Sequence, residues 1–308
     1  MSASGGTKAV VAALIANLTI AVFKFIGWAL TQSSSMLAEA IHSVADSGNQ
    51  VLLLVGGKRA QRQASAEHPF GYGRERYIYA FIVSIVLFSV GGLFALYEAY
   101  HKLQDPHPIE GAWWWVPPAV LIGAIIAESF SFRTAIKESN RVRGKKSWIR
   151  FVRSAKSPEL PVILLEDLGA LLGLVFALFG VSMTLLTGNG IWDALGTAMI
   201  GLLLVVIAII LALETKSLLL GESATAEDTK RIEQAIEANS ANKIIHLKTL
   251  HLGPEEILVA AKISIGAQAA GHEIAGEINA AEQRVRAAVP SARIIYLEPD
   301  LRRVSVKS

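Results

Sequence analysis

"AEAIHSVADSGNQ", residues 38–50, sets Glu39, His42, Asp46 and Asn49 within a run that otherwise has the texture of a membrane helix. Each of these groups is expensive in hydrocarbon, so the stretch either serves a function there or lies outside the membrane. The answer depends on what surrounds it. Residues 34–57 have the length of a span, and the chain as a whole has the composition of a membrane protein.

Of the 308 residues 52% are hydrophobic and only 18% are charged. The mean hydropathy is +0.44, too apolar for an ordinary soluble domain. A net charge of +3 points to no nucleic-acid partner. With no cysteine, disulfides and thiolate metal sites are both excluded. The N-terminal "MSASGGTKAV" has neither a basic n-region nor a small-residue cleavage site, so the first apolar run is expected to be a retained helix.

A bilayer core of about 30 Å takes roughly 20 apolar residues per helix. Six stretches qualify: about 8–31, 34–57, 77–101, 113–136, 159–186 and 190–214. The links after the first, third and fifth carry at most one Lys or Arg. Between the second and third lie Lys58, Arg59, Arg62, Arg74 and Arg76. Between the fourth and fifth lie Arg141, Arg143, Lys145, Lys146, Arg150, Arg153 and Lys156. The positive-inside rule places both basic links, and hence both termini, in the cytoplasm. "WWW" at 113–115 suits an aromatic anchor at the outer interface.

Beyond about residue 216 the pattern becomes soluble. Thr225 and Asp228 resemble a capping box that opens a helix at about 226–239. "KIIHLKTLHL" and "EILVAAKISI" predict strands separated by a Gly-Pro turn, followed by a helix over 271–288 and a strand in "ARIIYLEP". The order α-β-β-α-β predicts a small cytoplasmic α+β sandwich with its helices on one face of a sheet. The domain expectation is therefore 1–215 for an all-α six-helix membrane domain and 216–308 for the soluble domain.

On a helix His42 and Asp46 stack four residues apart, with Glu39 and Asn49 close to the same face. Imidazole with carboxylates suits Zn²⁺, Fe²⁺, Co²⁺ or Mn²⁺ rather than Mg²⁺ or alkali ions. The fifth span adds Glu166 and Asp167 in "PVILLEDLGALLG", the fourth adds Glu128, and the first adds Asn17 and Lys24. Adjacent helical residues diverge by about 100°, so at most one of Glu166 and Asp167 faces a shared site squarely. The plainer alternative is that such groups pair to hold helices together, at about 1 kcal/mol each. It suits Asn17, Lys24 and Glu39 at least as well as a transport role does. Protons are the natural substitute for a departing metal, because the same groups must deprotonate to bind it.

"SSSMLAEAIHSVADSGNQ" in the second span, "HPFGYGRERY" at 68–77 and "LLLGESA" at 218–224 together resemble the cation diffusion facilitator family of divalent-metal transporters. The resemblance covers essentially the whole chain. It implies a ferredoxin-like, metallochaperone-like C-terminal domain, homodimers in a lipid bilayer, and metal/proton antiport by alternating access. It also implies a transport site built from a His/Asp-x-x-x-Asp pair on each of the second and fifth spans. His42 and Asp46 match the first pair. In the fifth span Asp167 aligns with the family aspartate, while Ile163 stands where its His or Asp companion would be. "LLED" resembles a branch that includes a mitochondrial zinc transporter of animals. The missing ligand would then come from Glu166, Glu128 or water. Accessory sites are depleted too: Tyr72 replaces a second His beside His68. Ala261 and Tyr296 replace His near His246 and Glu298.

The expected function is export of a divalent metal, Zn²⁺ first, by exchange for protons across a bacterial inner membrane. The alternative is a metal-responsive membrane scaffold whose transport has lapsed. No nucleophile–base pair, phosphate loop or catalytic zinc motif points to an enzyme, and no organic cofactor is implied.

Overall fold

The structure, a computed structural model, describes the backbone of residues 3–239, 242–266 and 268–301, with side chains from residue 17 onward in those ranges. The chain divides into two compact units, Met1–Lys58 with Tyr77–Lys216, and Arg59–Arg76 with Ser217–Ser308.

The first unit is helical. α1 (Ala3–Thr31) and α2 (Ser34–Ala60) are followed by a continuous helix made of α3 (Glu75–Val86), a π-helical stretch (Leu87–Leu93) and α4 (Phe94–Gln104). Then come α5 (Val116–Arg143), the short α6 (Trp148–Ser154), α7 (Glu159–Thr187) and α8 (Ile191–Leu220). Four helices, Glu75–Gln104, Val116–Arg143, Glu159–Thr187 and Ile191–Leu220, are each 28 to 30 residues long and apolar enough to cross a membrane. The chain is an integral membrane protein.

Two boundaries differ from the sequence expectation for physical reasons. α5 starts at Val116, not 113, because Pro117 and Pro118 suit a first helical turn, where no backbone N–H is needed. The Trp113 carbonyl accepts from Val116 N at 3.0 Å, so the three tryptophans form the preceding turn and remain exposed. The basic link before the fifth span contains α6, whose N-cap Ser147 accepts from Arg150 N. Phe151 of α6 is buried beside Ala135 and Leu164. Seven residues are too few to show helical periodicity in the sequence.

The helical core is built from Met36, Leu87, Leu121, Leu174, Ile200, Leu204 and their neighbours. α7 and α8 cross where Gly180 meets Gly196: a Cβ on Gly180 would lie 2.8 Å from the Trp192 carbonyl oxygen and 3.2 Å from Gly196 Cα. Small residues of this kind let membrane helices approach backbone to backbone. The N-terminus of α2 is capped from another helix. Asp193 of α8 accepts from Ser33 Oγ (2.9 Å), Ser34 N (2.7 Å), Ser34 Oγ (3.1 Å) and Ser35 N (3.3 Å). A carboxylate there satisfies orphan N–H groups and opposes the positive end of the helix dipole.

The second unit carries α9 (Ala226–Ile236), β1 (Lys243–Gly253), β2 (Glu256–Ser264), α10 (Gly271–Ala288) and β3 (Ala292–Pro299). Thr225 caps α9 by accepting from Asp228 N. The three-stranded sheet has the order β1-β2-β3, with β1 and β2 antiparallel and β2 and β3 parallel. Ile257, Val259, Ala261 and Ile263 alternate on one face of β2 and pack with Ile232 and Ile236 of α9 and Ala281 and Val285 of α10. The segment 59–76 belongs to this unit. A Cβ on Gly73 would lie 2.9 Å from the Leu252 carbonyl oxygen and 3.1 Å from Gly253 Cα, so its backbone lies directly on the β1–β2 hairpin.

Candidate metal site

α2 turns His42, Asp46 and Asn49 inward, and all three are buried with Glu39 and Ser43. His42 Nδ1 stands 3.4 Å from Asp46 Oδ1, the i,i+4 stack expected of a helix. Neither ring nitrogen finds a hydrogen-bond partner, nor does Asp46 Oδ1. Buried polar atoms are normally satisfied, so unpaired atoms on a stacked imidazole and carboxylate mark this stretch of α2, where Glu39 Oε1 and Asn49 Oδ1 also lack partners. Gly91 of the π-helical stretch packs against the ring: a Cβ there would come within 3.9 Å of His42 Nδ1. π-helical turns often mark functional sites, and nothing in the sequence signalled this one.

α7 splits its two acids. Glu166 is buried and faces α2, where its Oε1 accepts from Asn49 Nδ2 at 2.6 Å. The Asp46 carboxyl lies within hydrogen-bonding reach of the Glu166 carboxyl. Asp167 is half-buried and turned to α5, accepting from Ser131 Oγ at 3.0 Å. Ile163 shares that side of α7 and packs beside Phe132 and Ile136 of α5. Glu128 of α5 reaches the cluster from a third direction. With Asn17, Ile20, Ser43 and Asp46 it lines a crevice too tight to admit a water molecule. The structure therefore pairs Asp46 with His42 on one side and with Glu166 on the other, with Glu128 at the edge and Asp167 one helix face away. Among the described residues no three His, Asp or Glu side chains converge closely enough to hold an ion at once.

Lys24 and Glu39 have a separate arrangement. Lys24 Nζ donates to Glu39 Oε2 at 3.0 Å and to Ser43 Oγ at 2.8 Å, and both charged side chains are almost fully buried. This pair ties α1 to α2, since a buried charge is tolerable only with a partner.

The other histidines are engaged elsewhere. The His68 ring stacks on Tyr72 at 4.6 Å, with the Arg62 guanidinium 4.5 Å from the centre of the Tyr72 ring. His251 is buried, with Nδ1 3.2 Å from the Gly253 carbonyl oxygen. On the open face of the sheet, Lys262 is paired in register with both His246 and Glu298. Its ammonium lies 3.0 Å from Glu298 and 3.5 Å from Asp300. The Glu298 and Asp300 carboxylates hold the Lys262 ammonium above its ordinary range, so a protein cation already stands beside the position aligned with the family's accessory site.

Comparison with known proteins agrees with this arrangement of helices. The cation efflux transmembrane domain matches residues 10–220. Over 267 residues the chain is 32% identical to the proton-coupled zinc antiporter SLC30A9, mitochondrial, of Xenopus laevis, an alignment covering 85% of this chain and 47% of that protein. It is 28% identical over 270 residues to metal tolerance protein C4 of Arabidopsis thaliana, covering 85% and 57%. It is 26% identical over 244 residues to the metal cation efflux system protein CzcD of Cupriavidus metallidurans, covering 79% and 71%. The chain spans about half the length of the animal relatives it matches. The match over two thirds of its length, joined to the buried acid–imidazole cluster between α2 and α7, shows that this chain belongs to the cation efflux, or cation diffusion facilitator, family of transporters and resembles the branch that holds the animal mitochondrial zinc antiporters.

Proposed function

We propose that the chain is a divalent-metal/proton antiporter whose cargo, Zn²⁺ by first preference, is held between α2 and α7. The observation that carries this reading is the His42–Asp46 pair, buried with unsatisfied atoms and set against the Glu166 carboxyl. Its donor set of one nitrogen and several carboxylate oxygens suits Zn²⁺, Fe²⁺, Co²⁺ or Mn²⁺. Metal and protons are alternative ways to neutralise these groups, so one displaces the other and the exchange is obligatory. His42, Asp46 and Glu166 act as ligands, Glu128 lines the approach, and Asp167 joins the set when α7 turns relative to α5. Asn49 is the positioning residue that aims Glu166. The helices form six spans with both termini on the side of the basic links, and the soluble unit extends the ferredoxin-like pattern of the family. A bacterial inner membrane is the location we favour, and the relatives' names support proton coupling.

The test is flux in proteoliposomes, with Zn²⁺, Fe²⁺, Co²⁺ and Mn²⁺ each offered with and without an imposed pH gradient. Gradient-driven accumulation is expected for Zn²⁺. His42→Ala and Asp46→Ala are expected to abolish it while the protein remains folded. Asn49→Ala should weaken apparent affinity by about 10- to 100-fold, as loss of a ligand's supporting hydrogen bond does. Undiminished flux in Asp46→Ala would remove the site assignment. Stoichiometric metal binding without any flux would favour a metal-responsive scaffold.

A further inference from the structure

A second concavity lies away from the acid cluster, among α5, α6, α7 and α8. It encloses about 700 Å³ and is walled by Ile136, Leu164, Leu168 and Leu213, with Ile149 and Val152 of α6 across one end. That volume is within the range of small-molecule sites. Its polar lining consists of Arg153 and Glu214, paired at 3.6 Å, with the Arg153 side chain 74% exposed. The walls belong to helices long and apolar enough to span, so this is a groove open to lipid and closed at one end by α6.

α6 has the character of an interfacial element. Phe151 anchors it in the unit, while Trp148 and Ile149 remain 38% and 73% exposed. The Arg143 guanidinium sits 4.1 Å from the centre of the Trp148 ring. Exposed apolar side chains interleaved with basic ones suit the boundary between headgroups and acyl chains. From residue 139 to 158 there are seven Lys and Arg and no Asp or Glu. Lys145 and Arg150 make no ion pair among the described residues.

We infer that this groove is a binding site for an anionic phospholipid, with an acyl chain along the Leu164–Leu168–Leu213 wall and the phosphate on Arg153, which lines it, and on Arg150, which lies outside the lining but three residues away on α6. Charge selects the headgroup. Basic pockets between membrane helices on the positively charged side attract net-negative lipids at about 1 kcal/mol per Lys or Arg, whereas a zwitterionic headgroup brings its own cation into the same field. Charge also argues against a second copy of the chain. A two-fold contact through this groove would set seven basic residues against the same seven.

The experiment uses the full-length chain, delipidated in detergent and titrated with dioleoylphosphatidylglycerol or dioleoylphosphatidylcholine while lipid adducts are counted by native mass spectrometry. One phosphatidylglycerol per chain is expected to saturate at a concentration at least about ten-fold below that for phosphatidylcholine. Arg150→Gln with Arg153→Gln should lower phosphatidylglycerol affinity about 30-fold and leave phosphatidylcholine unchanged. Arg141→Gln, whose guanidinium already pairs with Glu138, should change neither. Should the double variant fail to fold, Leu213→Trp fills the groove and is expected to expel the adduct. Equal affinity for the two lipids, equal losses in Arg141→Gln, an adduct that survives Leu213→Trp, or a change in oligomeric state in its place would each overturn the assignment.

Discussion

Lys24, Glu39 and Asp193 are as deeply buried as His42, and what separates them is that each makes side-chain hydrogen bonds to another helix. Lys24 donates to Glu39 Oε2 and Ser43, leaving Glu39 Oε1 unpaired, and Asp193 gathers four donors from the start of α2. His42 has neither nitrogen occupied. The distinction converts into opposite mutational signatures. Asp193→Ala strips α2 of its cap and leaves buried hydroxyls and amides without an acceptor, a loss on the order of 3–5 kcal/mol. It should lower the thermal midpoint in detergent sharply, with Asp193→Asn in between. His42→Ala should leave the midpoint nearly unchanged while removing transport. An unchanged midpoint in Asp193→Ala would mean that the serine–aspartate contact contributes nothing to the fold.

Among the elements, the α9–α10 pair shows how one side chain joins a helix to the chain around it. Glu277 of α10 accepts from Arg284 at 2.7 Å, from Asn242 at 2.7 Å and from Asn239 at 3.0 Å. The Arg284 hydrogen bond and its neighbours hold the Glu277 carboxyl below its ordinary range. A depressed carboxyl contributes stability that is fully present above the unfolded value of 4.5 and is lost as pH falls through the lower folded value. Glu277→Gln should therefore cost about 1 kcal/mol at neutral pH and progressively less below pH 4.5. Hydrogen exchange of the α10 amides in the full chain, followed from neutral to acid pH, measures this directly. A constant difference between variant and parent across the whole range would contradict it. The short α6 makes a related point, since its place depends on burying Phe151 rather than on its own helical propensity.

For the molecule as a whole, the proposed six-span arrangement assigns every connection to one of two sides. The absence of cysteine allows this to be tested without background labelling. Single cysteines at Ser65, Ser154 and Ser223 should react with an impermeant thiol reagent from one side of oriented vesicles, and cysteines at Asp105 and Asn189 from the other. Labelling of Ser154→Cys and Asn189→Cys from the same side would exclude six spans. The outcome matters for transport, because Glu128 and the cleft beside Asp46 must open to one compartment at a time if metal and protons are to exchange.

Much of this protein was legible in its sequence. Hydrophobic runs, basic links and strand alternation are local properties, and they placed the long helices and the α-β-β-α-β order to within a few residues. The cost of burying charge is also local, which is why His42, Asp46, Glu128, Glu166 and Asp167 stood out as a set. Which of them meet was decided only by packing. Glu166 and Asp167 are neighbours in sequence, yet one faces Asn49 and the other Ser131, because the azimuth of α7 is set by its contacts with α2 and α5. Nothing local in the sequence joins Asp193 to Ser33, Ser34 and Ser35, about 160 residues earlier in the chain; the fold does. A residue's type and period determine that it must be buried or paired. Its partner is a non-local property, and only the tertiary structure supplies it.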